Sequence, residues 1–225
     1  MVTLTANEAR VLGVLVEKAL TTPAQYPLTL NALVVGSNQK NNRHPVTNLT
    51  EDQVYDAVDG LRKKGFAREA VLSGSRVPKF RHTAREVLNI ETPALVILSE
   101  LMLRGPESLG ELRQNRGRMH PLEPLEAVKS VLDELAARPE PLVKEFPPPP
   151  GGRARLYMQL LAPTAHPEPT AGVYRGEDDA PREASHAGRA AGDGLEARVR
   201  RLEEGVGRLR TAVQGMAAAL GMDNQ

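Results

Sequence analysis

One order of predicted elements occurs twice in the first 161 residues, and this repetition constrains the fold more than any other feature of the sequence. Each copy starts with three stretches of apolar residues at helical spacing and ends with two β-prone runs around a turn. The apolar residues of the third helix recur 74 positions later: Val54, Val58 and Leu61 in the first copy, and Val128, Leu132 and Leu135 in the second. Three helices and a hairpin are typical of a winged helix-turn-helix. The repeat therefore predicts two such domains in tandem, in a mainly α protein with small β-hairpins (α+β).

Polar residues mark where the helices of the first copy begin. Thr5 with Glu8, and Thr50 with Gln53, have the spacing of a capping box, in which each side chain bonds to a backbone N–H group of the other residue. Thr29 can cap the short second helix between them. These positions predict three helices before the first hairpin.

The second copy has its own start signals, at Thr92, Ser108 and Pro124. The β-prone runs of the two hairpins are residues 66–72, 77–82, 142–146 and 154–161. We therefore place the first winged-helix domain at residues 1–86 and the second at residues 87–162.

The C-terminal part of the chain has a different composition. Residues 163–194 are rich in Pro, Ala, Gly and charge and nearly lack large apolar side chains, which predicts a disordered linker. Apolar residues then recur in alternating steps of four and three, the pattern of a coiled-coil seam. We expect a coiled-coil helix over residues 195–221, weakened by interior glycines, that can pair two chains into a homodimer through Leu195–Leu220.

Composition excludes several classes of protein. The chain has 225 residues and no cysteine, which rules out disulfides, thiolate metal sites and cysteine nucleophiles. No apolar run reaches the roughly 18 residues that a membrane-spanning helix needs, and the N-terminus lacks a basic and then apolar signal sequence. We therefore expect a cytoplasmic protein that does not associate with membranes.

Sequence motifs of enzymes are also missing. The chain contains no phosphate-binding P-loop, no dinucleotide fingerprint, no zinc-protease motif and no nucleophile elbow. Its 5 histidines are widely separated in sequence, so we expect no metal site. The prediction is a non-enzymatic protein with no catalytic residues and no cofactor.

Positive charge is concentrated in the first domain. The whole chain has 29 Lys and Arg residues against 28 Asp and Glu, a formal net charge of +1, so no overall excess indicates a polyanionic partner. Residues 1–82, however, hold 11 basic and 7 acidic residues. Because phosphate charge dominates DNA affinity, a DNA-binding surface is expected in this region.

The loop SNQKNNRHPV, between the second and third helices, carries the first group of candidate DNA contacts. Asn and Gln side chains can bond to base edges, whereas Lys and Arg hold phosphates. We assign base or backbone contacts to Asn38, Gln39 and Asn42, and phosphate contacts to Lys40 and Arg43. Asn-rich loops also satisfy their own backbone, so intramolecular hydrogen bonds explain the same residues equally well.

The first hairpin carries the second group of candidate contacts. In its second strand, Lys79 and Arg81 share one face, while Phe80 takes the other. Arg76 in the turn and Arg68 in the first strand add positive charge. We assign phosphate contacts to Arg76, Lys79 and Arg81. Solvated charges that discourage aggregation of an edge hairpin are an equal alternative.

The third helix of the first domain argues against ordinary reading of the DNA groove. Its first turns expose the carboxylates of Glu51, Asp52, Asp56 and Asp59. Carboxylates repel the phosphate backbone, so base-specific binding through this helix is disfavoured. The arginines of the second domain are nearly neutralised by neighbouring glutamates and are weaker candidates.

The loop also carries a family resemblance. Its residues match the pattern NQK-x-x-R-x-P-V, and the likeness extends over residues 3–161, including the segments LTANEARVLGVLVEK, LRKKG and ARLYMQLL. The chain resembles the YceH-type family of uncharacterised bacterial proteins. That resemblance implies tandem winged-helix domains, a variable coiled-coil tail and a DNA-binding role, without an established activity. Ser37 and His44 stand where the family commonly has Cys and Asp.

Two functions fit these features. The first is DNA binding by a tandem winged-helix protein, as part of transcriptional or chromosome-associated regulation. The second is a non-enzymatic protein-protein interaction scaffold that uses the winged helices and the coiled-coil tail. The acidic third helix and the nearly neutral net charge favour the scaffold, and fold alone does not decide between the two.

Overall fold

The computed structural model describes residues 2–70, 77–115, 119, 124–149 and 152–169. All of them belong to one compact unit, Met1–Arg175, and the second unit, Gly176–Gln225, lies outside the described residues. The described residues form seven α-helices, one short 3₁₀ helix and two three-stranded antiparallel sheets, so the chain is a mixed α and β protein of the α+β type.

The first half of this unit contains three helices and one sheet. Its elements are α1 (Ala6–Thr21), a 3₁₀ turn (Pro23–Gln25), β1 (Leu28–Thr29), α2 (Leu30–Ser37), α3 (Glu51–Lys63), β2 (Ala67–Ala70) and β3 (Lys79–His82). The strands form the first sheet in the order β1-β3-β2, with Leu28 opposite Phe80.

The second half repeats this order after a short additional helix. Its elements are α4 (Ala84–Leu88), α5 (Thr92–Arg104), β4 (Glu107–Ser108), α6 (Leu109–Asn115), α7 (Leu125–Ala136), β5 (Val143–Phe146) and β6 (Leu156–Gln159). The second sheet has the order β4-β6-β5, with Glu107 opposite Tyr157. The residues of α3 that recur 74 positions later in α7 are all buried, in both halves.

The predicted helix caps of the first half are confirmed. Thr5 and Glu8 bond to each other's backbone N–H groups at the start of α1, and Thr50 and Gln53 do the same at α3. The Thr29 hydroxyl accepts a hydrogen bond from Ala32 at the start of α2. These starts were predictable because a capping box involves residues only three positions apart.

Three short elements do not follow from the sequence patterns. Strands β1 and β4 have two residues each, too few to show alternation, and they exist because β3 and β6 offer a free edge. Helix α4 has five residues and ends at Asn89, which adopts a left-handed conformation.

A single hydrophobic core runs through both halves because α1 packs against α5. Every residue of α1 from Glu8 to Val16 is buried. Gly13 lets the two helices approach closely, since a Cβ atom there would lie 2.8 Å from the Leu103 side chain. The Ser99 hydroxyl donates to the Gly13 carbonyl at 3.1 Å. The two domains predicted at residues 1–86 and 87–162 therefore share their core, while their boundaries stay predictions.

The chain returns to the first half after β6. The backbone N–H of Leu4 donates to the carbonyl of Leu161 at 2.7 Å. His166 is buried, with 3% of its surface exposed. The disordered linker was predicted to begin at residue 163, whereas the packed chain continues to residue 169. The rest of the linker and the coiled-coil helix predicted for residues 195–221 lie outside the described residues.

Among the residues that the structure describes, no helix combines the length and the apolar character needed to cross a bilayer.

Because one core serves both halves, we expect the described unit to unfold in a single transition. Leu15→Ala in α1 and Leu98→Ala in α5 each remove a fully buried side chain, and each should lower the free energy of unfolding by about 2–5 kcal/mol. Calorimetry of the full chain measures this. Val87→Ala, at a 42% exposed position, is the control. Two separable transitions, each shifted by only one of the core variants, would contradict the shared core.

Candidate nucleic-acid interface

Asn38 closes the base of the loop between α2 and α3. Its amide group donates to the Leu49 carbonyl at 2.8 Å, and its Oδ1 accepts from the Leu49 N–H at 2.7 Å. Thr47 donates to the same Oδ1 at 3.2 Å. The amide thus pairs with both backbone groups of Leu49, as a neighbouring β-strand would. Its oxygen and nitrogen are both used within the protein.

Arg43 lies in the interior, with none of its side chain exposed. Its guanidinium forms a bidentate ion pair with Glu17 of α1, at 2.6 and 3.3 Å. It also donates to the Gly36 carbonyl at 3.1 Å and to Gln39 Oε1 at 3.0 Å. Burial alone would raise the pKa of the Glu17 carboxyl, but the bonds and charge of Arg43 outweigh it and lower that pKa.

The C-terminal end of the loop is hydrogen-bonded to the second half. Asn42, at a φ of 60°, accepts a hydrogen bond from the Arg104 guanidinium at the end of α5. The His44 N–H donates to the Leu103 carbonyl at 2.8 Å. Arg10 of α1 donates to the Pro45 carbonyl at 2.6 Å. The loop therefore bridges α1 and α5.

His166 completes this bridge from the C-terminal side. Its Nε2 lies 2.7 Å from the His44 carbonyl. Burial lowers the pKa of His166 to about 4, although the bond to His44 opposes the shift, so the ring is neutral at pH 7 and Nε2–H donates. Gly105, at a φ of 90°, leaves room for the ring, since a Cβ atom there would lie 2.8 Å from it.

A second charged group lies beside the first on α5. Glu100, with 7% of its side chain exposed, is 3.0 Å from the Arg104 guanidinium. Burial raises the pKa of Glu100 to about 7, and the nearby Glu17 adds to the rise, while Arg104 and Arg43 oppose it. Glu107 lies 3.9 Å from Arg104. Three carboxylates and three guanidinium groups therefore lie where the two halves meet.

The loop leaves only part of its polar surface to solvent. Lys40 is exposed, whereas Asn38, Gln39 and Asn42 are half-buried and Arg43 is buried. The structure thus shows the intramolecular hydrogen bonds that were one of the two open interpretations. Arg43 is turned away from any phosphate in this arrangement, because Glu17 and the loop backbone occupy its donors.

The first sheet presents its cations on the face opposite the core. Phe80 is buried, with 4% of its surface exposed, while Lys79 and Arg81 alternate with it on the other face. Arg81 is directly opposite the exposed Arg68 of β2, and Lys79 is opposite Ala70. We call Arg68, Lys79 and Arg81 the basic face of the first sheet. Arg76 lies outside the described residues.

No carboxylate neutralises this basic face within the described part of the chain. None of its cations forms an ion pair there; the Glu69 carboxylate between them in sequence is paired with Arg62 of α3 at 3.8 Å instead. Like charges directly opposite in a sheet repel each other. An anion on this face would relieve that repulsion.

Helix α3 exposes acidic side chains, as its sequence predicts. Glu51, Asp52 and Asp56 are exposed, and Tyr55 between them is 51% exposed. Asp59, further along, forms ion pairs with Lys63 at 2.7 Å and Arg62 at 3.9 Å. The outer side of the first two turns is therefore negative.

Several residues of the bridge were not singled out in the sequence, namely Arg10, Glu17, Glu100, Arg104 and His166. The first four are charged residues inside otherwise apolar helical stretches. A charged residue within an apolar face indicates a buried ionic or hydrogen-bonding contact. The partners of these residues, however, lie far away in sequence, so the pattern does not identify them. Among the described residues, no group of three or more His, Asp or Glu side chains is arranged to hold a metal ion.

Comparisons with known proteins place these features in context. Residues 4–152 match the family model described as "Protein of unknown function, DUF480". A UPF0502 protein of Burkholderia cenocepacia (strain J2315) is 43% identical over 222 residues, which cover 98% of this chain and 90% of the relative. A UPF0502 protein of Burkholderia pseudomallei (strain 668) is 42% identical over 220 residues, with the same coverage.

The ion pair between Arg43 and Glu17 generates a test of the loop. Arg43→Ala should lower the free energy of unfolding by about 3–5 kcal/mol, because the carbonyls that Arg43 satisfies would lose their donor and the half-buried Glu17 would keep only Lys18, 3.3 Å away, as a counter-charge. Lys40→Ala, three residues earlier and exposed, should change it by less than about 0.5 kcal/mol. Urea unfolding of both variants measures the difference. Similar small effects for both variants would show that the ion pair between Arg43 and Glu17 contributes little to the stability of the protein.

Glu100 generates a pH-dependent test. Its folded pKa of about 7 lies above the ordinary glutamate value of 4.5, so its contribution to stability is largest at low pH and is lost as pH rises through 7. Glu100→Gln lacks this ionisation. The stability of the variant relative to the unmodified chain should therefore rise between about pH 5 and pH 8, by up to about 3 kcal/mol. Urea midpoints at both pH values measure it, and a pH-independent difference would contradict it.

Proposed function

The chain belongs to the DUF480 family of proteins of unknown function, and we propose that it is a non-enzymatic DNA-binding protein built from two winged helix-turn-helix domains. The match confirms the family resemblance drawn from the loop motif. The repeated order of a short strand, two helices and a hairpin, packed on α1 or α5, supports the winged-helix interpretation.

The observation that carries the proposal is the basic face of the first sheet. Arg68, Lys79 and Arg81 lie on one face of a hairpin, with no ion pair to another described residue. Phosphates are the ligands that such a face fits, since neutralisation of DNA phosphates by Lys and Arg supplies most of the affinity. Lys40 adds an exposed cation from the loop.

The proposed contacts are fewer than the sequence assigned. We keep phosphate contacts for Lys40, Lys79 and Arg81, and for Arg76, which lies outside the described residues. The hydrogen bonds of Asn38, Gln39, Asn42 and Arg43 support a structural role for these residues in shaping the loop. A DNA partner implies a cytoplasmic protein, and that location is part of the proposal.

A protein-interaction scaffold is the second candidate function. The exposed side of α3 favours it, because Tyr55 lies there among carboxylates and offers an apolar ring with a polar tip to a basic partner. A homodimer through Leu195–Leu220 also stays a proposal, and those residues lie outside the described part of the chain.

We expect the full chain to bind a mixed-sequence DNA duplex at micromolar protein and low salt, measured by fluorescence anisotropy. Lys79→Glu should weaken binding by about tenfold or more, because it places a carboxylate among the phosphates. Lys129→Glu, on the exposed surface of α7, is the matched control and should have little effect. Absence of binding, together with recovery of one stoichiometric protein partner, would favour the scaffold instead.

A further inference from the structure

The two sheets have the same strand order but different outer faces. Phe80 of β3 is opposite Leu28 of β1, and Tyr157 of β6 is opposite Glu107 of β4, so Phe80 and Tyr157 occupy equivalent positions. Their neighbours are then equivalent as well. Lys79 and Arg81 in the first sheet correspond to Leu156 and Met158 in the second, and Arg68 corresponds to Lys144.

The face of the second sheet that corresponds to the basic face is mostly apolar and shielded from water. Leu156 is 4% exposed and Met158 is 1% exposed. Phe146, opposite Leu156, is 7% exposed. Among the described residues this face holds one cation, Lys144, because the two positions that hold Lys79 and Arg81 in the first sheet hold buried apolar side chains here.

Two of the three described cations of the second hairpin are also engaged. Lys144 lies 4.6 Å from the centre of the Phe146 ring and 3.8 Å from the Glu168 carboxylate. Arg155 is 3.1 Å from the Glu145 carboxylate. The second hairpin therefore offers one exposed cation without an ion pair among the described residues, Arg153, whereas the first offers three on one face.

Helix α3 adds a constraint on how DNA could approach the first sheet. No ion pair neutralises Glu51, Asp52 or Asp56 within the described part of the chain. In a major groove these carboxylates would lie between two phosphate backbones and would be repelled by both. The loop next to α3 adds one exposed cation, Lys40, against these three carboxylates, because Arg43 is buried against Glu17.

We infer that, among the described residues, those that contact DNA lie in the first half: the basic face of the first sheet lies along one sugar-phosphate backbone, and α3 stays outside the major groove. This inference rests on the proposed DNA-binding function and specifies its site and mode. Lys79 and Arg81 are two residues apart, about 7 Å along the strand, which is close to the separation of neighbouring phosphates along one DNA strand. Contacts of this kind position the protein without selecting a base sequence.

A matched pair of double variants tests the single site. Lys79→Gln/Arg81→Gln and Lys144→Gln/Arg155→Gln each remove two positive charges from a hairpin. The first pair should weaken duplex binding by about tenfold or more and reduce the slope of log affinity against log salt by about two. The second pair should change affinity by less than about twofold. Lys79→Arg/Arg81→Lys keeps both positive charges and should retain binding. A loss of binding in the Gln variants can then be attributed to the lost charge rather than to misfolding.

Chemical probing tests the mode. On the full chain bound to a guanine-containing duplex, hydroxyl-radical cleavage of the backbone should be reduced. Methylation of guanine N7 by dimethyl sulfate, which reports the major groove, should be unchanged. Protection of N7 that is lost in Tyr55→Ala would place α3 in the groove and overturn the inference.

The outcomes separate the inference from the function on which it rests. Binding that both double variants weaken equally, or that protects N7, overturns the single-site mode and leaves DNA binding intact. Absence of duplex binding by the unmodified chain at low salt overturns both. Loss confined to the Lys79/Arg81 pair, with N7 reactive, supports both.

Discussion

The ion pair between Arg43 and Glu17 organises much of what surrounds it. Because this guanidinium is buried, its charge must be compensated inside the protein, and the Glu17 carboxylate does this from α1. The pair holds the loop after α2 in one conformation. That conformation places Asn42 against Arg104, and His44 against Leu103 and His166. A local charge pair thus becomes a connection between the two halves of the molecule.

The same connection explains why the motif is polar although, apart from Lys40, its side chains are used within the protein. A loop of amides and cations next to a helix resembles a nucleic-acid reader in sequence, yet its donors satisfy carbonyls and carboxylates of its own chain. Positive charge available to a partner lies instead on the basic face of the first sheet. Its counterpart in the second sheet is buried, so the repeated fold carries two different surfaces.

Local features of the fold could be predicted from sequence, and long-range partners could not. The capping boxes at Thr5 and Thr50 and the buried residues of α3 follow from spacings of three and four residues. The alternation of Lys79, Phe80 and Arg81 likewise predicts which side chains of β3 face the core and which face away from it. Whether Arg43 faces solvent depended on Glu17, which lies 26 residues away. The burial of His166 depended on a contact 122 residues apart. Contacts between residues so far apart in sequence leave no periodic pattern from which they could be predicted.

The burial of α1 also bears on how the chain is made. Helix α1 emerges from the ribosome first, but its packing is complete only when α5 has been synthesised and Leu161 can bond to Leu4. Until then α2 and α3 cover part of α1, but the side that packs on α5 stays exposed, and such exposed apolar surface favours aggregation. We therefore expect rapid translation through residue 161, or a chaperone that shields the first helix, to protect the nascent chain.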